Sequence, residues 1–325
     1  MEFIITIDTE ADNQWNHGCE LTVENIKFVP RFQELCNKYN IKPVYLVTSE
    51  ICNDPFSKEI FADYQRKSIA EVGAHLHSWT TPPFFDKAGY RYNDKYHIFA
   101  TELPENIFAK KLKNLTRQIE NAFGKRPTSF RSGRYGFNER VASILSDNFY
   151  LVDSSVTPYT NWSKHKGMPE GEGGPDFLEK SAIPYTYNFS KKSILEIPVT
   201  ILNTKYPLNK NENIANYYLK NVKNNIILRL FRKLFFSDQP LWLRPFSNTK
   251  IQDFVDLINE AKRIELPYIV MMFHSSELMP GCSIYRENKE SIEKLYELLE
   301  QFFELIQKEN ITSVTLTEAA ETYQL

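Results

Sequence analysis

The sequence predicts an α/β fold built on a parallel β-sheet, either curled into a barrel or left open. Two observations carry that prediction. Short runs rich in β-branched and aromatic residues alternate along the chain with longer segments of helical apolar period, the order that βα units require. The composition is that of a globular protein, 42% hydrophobic and 25% charged over 325 residues, which is far from the disordered regime. The length is compatible with two domains, but α/β barrels commonly use this much chain for one. A single domain across 1–325 is therefore expected.

Phe3–Asp8 is a near-continuous apolar run closing on a carboxylate, the pattern of a strand buried on both faces. A helical segment follows at 22–40, with Thr22 ahead of Glu24 as its start signal. Pro43–Val47 is the second strand, 56–70 the second helix and Val72–His77 the third strand. A helix at 105–123 leads to Thr128–Arg131, and one at 138–147, opened by Asn138 before Glu139, leads to Tyr150–Asp153. Ile194–Thr200, Leu241–Arg244, Tyr268–His274 and Ser313–Leu316 complete the strands. Helices at 211–236, 249–264 and 287–309 separate them, with Asn248 as the expected cap of the second. Residues 78–104 and 154–190 interrupt the alternation, being rich in Pro, Tyr, Asn, Gly and Thr without helical period. Loops of this length in an α/β protein commonly serve as lids or binding walls.

Lys plus Arg total 39 and Asp plus Glu 41, for a net charge of −2. That balance leaves no footprint for a polyanion, and nucleic acid is not an expected partner. The cysteines Cys19, Cys36, Cys52 and Cys282 show no CxxC or CxH spacing and read as reduced thiols of a cytosolic protein. Met1–Ile7 runs directly into the first strand, and no apolar stretch approaches the ~18 residues of a membrane span. A cytoplasmic location is expected. Tyr217–Phe236 is apolar on one side and carries Lys220, Lys223, Arg229, Arg232 and Lys233. It fits a helix with a solvated basic face, or peripheral contact with a membrane surface.

Candidate chemistry collects at strand ends, where α/β folds place their sites. Asp8 and Glu10 close the first strand two residues apart, so both can face one way. A metal ligand beside a general base accounts for the pair, and so does a solvated turn. His75 and His77 repeat this spacing at the third strand. Two histidines and a carboxylate make a catalytic zinc-type ligand set with an open position for water. The fourth strand runs into Arg131-Ser132-Gly133-Arg134-Tyr135-Gly136, whose glycines permit close backbone approach and whose Arg131 can order a carboxylate; a tight surface turn is the plainer alternative. His274 sits at the tip of an apolar strand before Ser275-Ser276-Glu277, where its proton is usable. His17, near the first acidic pair, can line the same pocket, while His97 and His165 are expected at the surface of the two long loops.

Together these segments resemble the polysaccharide deacetylases with NodB homology, from the first strand to about residue 280. The stretches Thr6–Trp15, Gly73–Pro83 and Phe273–Gly281 look like the branch associated with bacterial surface-polysaccharide biosynthesis. The resemblance implies a distorted (β/α)7 barrel, here with long inserted loops. It also implies removal of N- or O-acetyl groups from a carbohydrate with one divalent metal, zinc being the expected ion. By position, Glu10, His75 and His77 would hold the metal. Asp8 would be the general base, ordered by Arg131, with the backbone N–H of Tyr135 stabilising the oxyanion and His274 acting as general acid. Trp79, Tyr135, Ser154 and Ser155 would contact substrate. The motif spacing differs from the common family form: Thr9 separates the two acids, Trp79 takes the place of the second histidine, and Asp153-Ser154-Ser155 replaces an Asp-Trp element. Two other readings remain open. One is a catalytically degenerate barrel that binds glycans through its Trp- and Tyr-rich loops (Trp79, Tyr90, Tyr92, Tyr96, Tyr159, Trp162). The other is an amidohydrolase-type C–N hydrolase using the His75–His77 pair with later histidines. A cytoplasmic deacetylase would act on a lipid- or nucleotide-linked sugar.

Overall fold

The computed structural model describes residues 1–14, 20–84, 97–167, 171, 173–190, 192–204 and 240–323. His17, the Tyr90–Tyr92–Tyr96 cluster, the expected helix at 211–236 and the basic stretch 217–236 lie outside the described residues. The strands are β1 (Glu2–Thr9), β2 (Pro43–Val47), β3 (Glu71–Leu76), β4 (Ser129–Ser132), β5 (Val152–Asp153), β6 (Tyr185–Asn188), β7 (Ser193–Glu196), β8 (Ile201–Leu202), β9 (Leu241–Trp242), β10 (Tyr268–His274) and β11 (Thr312–Ser313). The helices are α1 (Val29–Lys38), α2 (Pro55–Arg66), α3 (Glu105–Phe123), α4 (Glu139–Asp147), α5 (Ile251–Arg263), α6 (Lys289–Lys308) and α7 (Leu316–Thr322).

Nine strands form one sheet in the order β10-β1-β2-β3-β4-β5-β7-β6, with β11 beside β1. All neighbours from β10 to β7 pair in parallel, and β6 closes the edge as an antiparallel hairpin with β7. The sheet is a curled half-barrel. On its other side, Thr200 N donates to Val270 O at 3.1 Å and Met272 N to Leu243 O at 3.3 Å, which brings the small β8–β9 pair against β10.

The central strands are sealed on both faces: β2 and β3 have no exposed residue and β1 is buried from Phe3 onward. That is why their sequences read as unbroken apolar runs. One core fills the space under α1, α3, α5 and α6, with Phe3, Phe32, Phe108, Phe254 and Phe302 each 0% exposed. A smaller cluster around Ile4, Val44, Val270 and Leu316 packs the opposite face. Gly73 is required between β2 and β4, since a Cβ there would lie 2.2 Å from Ser129 Oγ.

Several boundaries differ from the sequence expectation for identifiable reasons. The segment 22–40 begins as a 3₁₀ turn at Glu24–Phe28, because the Asp12 carboxylate accepts from Glu24 N and Asn25 N, and Thr22 donates to Asp12 instead of capping. The sixth expected strand, Ile194–Thr200, ends at Glu196, two residues before Pro198, which has no N–H to give a ladder. The loop 154–190 supplies β6 near its end. α5 is capped by Lys250 N donating to Asp253, not by Asn248. The last expected strand, Ser313–Leu316, stops at Ser313; Thr315 and Glu318 form a reciprocal capping box that starts α7. His97 is buried at 4% exposure, contrary to the surface position expected, while His165 is exposed. No helix among the described residues is long and apolar enough to cross a membrane.

Candidate active site

The carboxyl ends of β1, β3, β4 and β10 converge on one cavity of about 600 Å³. Parallel pairing puts Asp8 beside His274 and His75 beside Arg131 in the ladders. Asp8, Glu10, His75, His77 and His274 all reach the cavity wall.

Glu10, His75 and His77 offer one ligand atom each within 4.8 Å of one another, and all three are buried. His77 Nε2 lies 2.8 Å from Glu10 Oε2, and His75 Nε2 lies 3.7 Å from the same oxygen. His75 Nδ1 donates to the Arg131 carbonyl at 2.9 Å, which leaves Nε2 as the ring nitrogen that faces the carboxylates. The donor set and its spacing fit a single divalent cation of the zinc or similar type. Burial favours the neutral form of Glu10, but hydrogen bonds from His75 and His77 outweigh it and keep the carboxyl ionised well below its usual range. Burial pulls His77 down to about 4 despite its contact with Glu10. His75 is raised: burial opposes protonation, but the Asp8 and Glu10 charges prevail. Gly133 is needed beside this cluster, because a Cβ there would lie 2.5 Å from His77 Nδ1 and 2.8 Å from Leu76 O.

Asp8 stands next to the cluster without belonging to it. Its Oδ1 accepts from Arg131 Nη1 at 2.7 Å, and its Oδ2 lies 3.9 Å from both His75 Nε2 and His274 Nε2. Burial would raise its carboxyl, but Arg131, His75 and His274 hold it below the ordinary value. Arg131 is 0% exposed and its other donors go to Thr6 Oγ1, Ser154 O and Ser154 Oγ.

Three expected substrate contacts are placed elsewhere. Ser154 and Ser155 are 0% exposed: the first holds Arg131, the second accepts from Ser132 N and donates to Asp153. Trp79 is 5% exposed and packs its ring on His77 at 4.4 Å, away from the cavity wall. The strand has ended at Leu76, and Thr81 N already turns back to His77 O, so the alternation that aligns His75 with His77 does not carry Trp79 into the cavity. Tyr135 does line it, in a turn where Arg134 (φ 54) and Tyr135 (φ 60) both take left-handed backbone. Its ring stacks on Trp162 at 5.4 Å and meets Trp242 at 6.5 Å.

Two site residues were not found by sequence reasoning. Glu277 accepts from His274 N at 3.1 Å and lies 3.3 Å from His274 Nδ1. Arg244 donates to Glu277 Oε1 at 2.7 Å and stands 3.1 Å from His274 Nδ1. Burial would raise the Glu277 carboxyl, yet Arg244 and His274 bring it down to about 2. The spacing from His274 to Glu277 is that of a reciprocal turn cap and was a readable signal.

No family model matches the sequence, and no curated protein sequence matches it. Solved structures do match. A 4-α-glucanotransferase from Thermococcus litoralis has a TM-score of 0.57 at 13% identity, covering 100% of this chain and 41% of that one. The PuuE allantoinase has a TM-score of 0.51 at 13% identity, covering 98% and 88%. A family 4 acetyl xylan esterase from Clostridium thermocellum, in complex with a cobalt ion, has a TM-score of 0.40 at 11% identity over 97% and 88%. What this chain shares with the first two is the fold, a mostly parallel α/β sheet curled into a half-barrel with helices outside it.

Proposed function

We propose that this chain is a metal-dependent hydrolase, one catalytic domain across 1–325, that removes an N- or O-acetyl group from a sugar or surface-polysaccharide precursor. The observation that carries the reading is the Glu10–His75–His77 cluster with Asp8 and His274 on either side of it in one cavity. The sequence resemblance to polysaccharide deacetylases supports the same assignment, with zinc as the proposed ion.

Glu10, His75 and His77 would hold a divalent cation, which would supply Lewis-acid chemistry and lower the pKa of water toward about 7. Asp8 is kept ionised by Arg131, so its Oδ2 can accept the proton of the attacking water. The carbonyl oxygen turning anionic takes a hydrogen bond from the backbone N–H of Tyr135, a contribution of roughly 2.7–4 kcal/mol per donor in such sites. His274 presents Nε2 to the cavity and delivers a proton to the departing amine or alcohol, with Glu277 orienting the ring from Nδ1. The Tyr135–Trp162 stack and Trp242 form the platform for the sugar ring, the part first expected of Trp79. Arg131, Ser154 and Ser155 act behind the wall and keep Asp8 in place. The free thiols Cys36, Cys52 and Cys282 suit a reducing, cytoplasmic setting and a precursor not yet exported.

The test is Asp8→Asn. The variant is expected to retain its metal by elemental analysis and to release acetate from acetylated sugars about 10²- to 10⁴-fold more slowly. A fully active Asp8→Asn protein overturns the assignment. A metal-loaded wild type that binds glycans yet is inert on every N- and O-acetylated sugar replaces the enzyme reading with the glycan-binding one.

A further inference from the structure

We infer that the cavity takes an anionic group carried by the sugar, a phosphate or a carboxylate, on the guanidinium of Arg244. This rests on the deacetylase reading above and adds the chemical class of its substrate.

Arg244 lies on the cavity wall just after β9 and is 6% exposed. A guanidinium has five N–H donors and no acceptor. Here Nη2 meets Glu277 Oε1 at 2.7 Å and His274 Nδ1 at 3.1 Å. Nη1 has the thioether sulfur of Met272 at 3.3 Å, a weak acceptor, and Nε has no partner. The contact with Glu277 is single, since Glu277 Oε2 is also unpartnered. The pair has therefore not adopted the two-bond fork that arginine and carboxylate favour, and of the five donors of Arg244 two are unspent and a third meets only a thioether.

Behind this wall Arg286, 3% exposed, donates to the carbonyls of Tyr285 and Pro245. Of the carboxylates on the cavity wall, Asp8 is already paired with Arg131 and Glu10 with His77. Phe246 and Tyr285 stand beside the Arg244 guanidinium, with ring centroids at 4.9 and 5.2 Å. A planar, under-bonded guanidinium can donate to the oxygens of an anion. Arg134 adds a further cation to the same cavity. A neutral sugar could accept from these donors only through uncharged oxygens, giving weaker bonds than an anion does.

The experiment measures binding of glucose, glucose 1-phosphate, glucuronate and inorganic phosphate to the full-length protein by calorimetry, with and without EDTA to separate any coordination by a bound metal. Glucose 1-phosphate or glucuronate is expected to bind about 10- to 100-fold more tightly than glucose in both conditions, and Arg244→Gln to remove that preference. Whichever anion is preferred names the source. No preference for either anion over glucose overturns the inference, as does a preference that survives in Arg244→Gln. Should Arg244→Gln fail to fold, Arg244→Lys decides: it keeps the charge and loses the fork, and a preference weakened less than about threefold overturns the inference. Binding is read without turnover. An enzyme active on neutral acetylated sugars with no anion preference defeats this inference alone, and a protein that prefers the anions but never releases acetate defeats the deacetylase reading alone.

Discussion

Arg131 donates from Nη1 to Asp8 Oδ1 at 2.7 Å, and the two residues are 0% and 2% exposed. An ion pair this deep has little solvent to fall back on. Removing the cation leaves Asp8 as an uncompensated buried charge, a change that costs about 3–5 kcal/mol in comparable cases. Arg131→Met is expected to lose stability of that order in urea unfolding, and Arg131→Met with Asp8→Asn to recover a substantial part. A single variant within about 1 kcal/mol of wild type would mean that the pair does not carry this burden.

The protonation states of the cluster fix how many protons leave when a metal binds. Glu10 is already ionised and His77, at about 4, is already neutral near pH 6. His75 is raised above its ordinary 6.5 and still carries its proton there. Binding a divalent ion at pH 6 should therefore release about one proton, and affinity should rise with pH until His75 has deprotonated. Calorimetry in buffers of different ionisation heat counts the protons. Two released, or none, contradicts this assignment of states.

Much of this arrangement was legible because strands obey a period of two. Asp8 with Glu10 and His75 with His77 each fall at i, i+2, and the parallel order of β10, β1 and β3 then brings the three strand ends together. Arg131 points inward from β4 for the same reason. The rule fails where a strand ends. His77, the first residue past Leu76, still follows the strand, but Trp79 lies two residues further on, in a turn that sets its direction. Arg244 follows a strand of two residues, Leu241–Trp242, too short to show any period. The helix starting at Leu316 was signalled by Thr315 and Glu318, a short-range cap that a strand-like composition obscured.

Glu277 sets the acid limb of stability. Its folded value of about 2 lies below the ordinary 4.5 because, although burial pushes up, Arg244 and His274 pull down more strongly. A depressed carboxyl contributes stability that is fully present above pH 4.5 and lost as the pH falls through about 2. The amount is on the order of 3 kcal/mol. Glu277→Gln should start less stable at pH 7 and lose less than wild type between pH 5 and pH 2.5. Equal losses in the two proteins would refute the role.

The Asp153–Glu196 pair has the opposite sign. The two are register partners on β5 and β7 and both are 0% exposed. Burial raises each carboxyl, and for Glu196 the Asp153 charge raises it further. The folded state then binds more protons than the unfolded chain at neutral pH, so this pair makes stability fall as pH rises above the ordinary carboxylate range. Glu196→Gln keeps an oxygen for the Val156 N–H and removes the like-charge conflict. Its stability should decline less between pH 5 and pH 8 than that of wild type. Identical slopes would show that the pair does not hold the extra proton.

Gly133 tests whether the backbone of the β4 turn shapes the metal ligands. An added Cβ would sit 2.5 Å from His77 Nδ1 and 2.8 Å from the Leu76 carbonyl, and Leu76 is the residue between the two histidines at the end of β3. A flexible side chain could swing aside, but an imidazole fixed 2.8 Å from Glu10 Oε2 and a strand carbonyl cannot do so without moving the cluster. Displacing groups that orient metal ligands typically lowers affinity about 10- to 100-fold. Gly133→Ala is expected to weaken metal binding by that factor in competition with a chelator. Gly124→Ala is the control, since Gly124 has open space around it and lies at the end of α3, away from the cavity. It should lose some stability through its left-handed backbone, with unchanged metal affinity. If the two variants bind metal equally well, His77 is not held by the close packing of this turn.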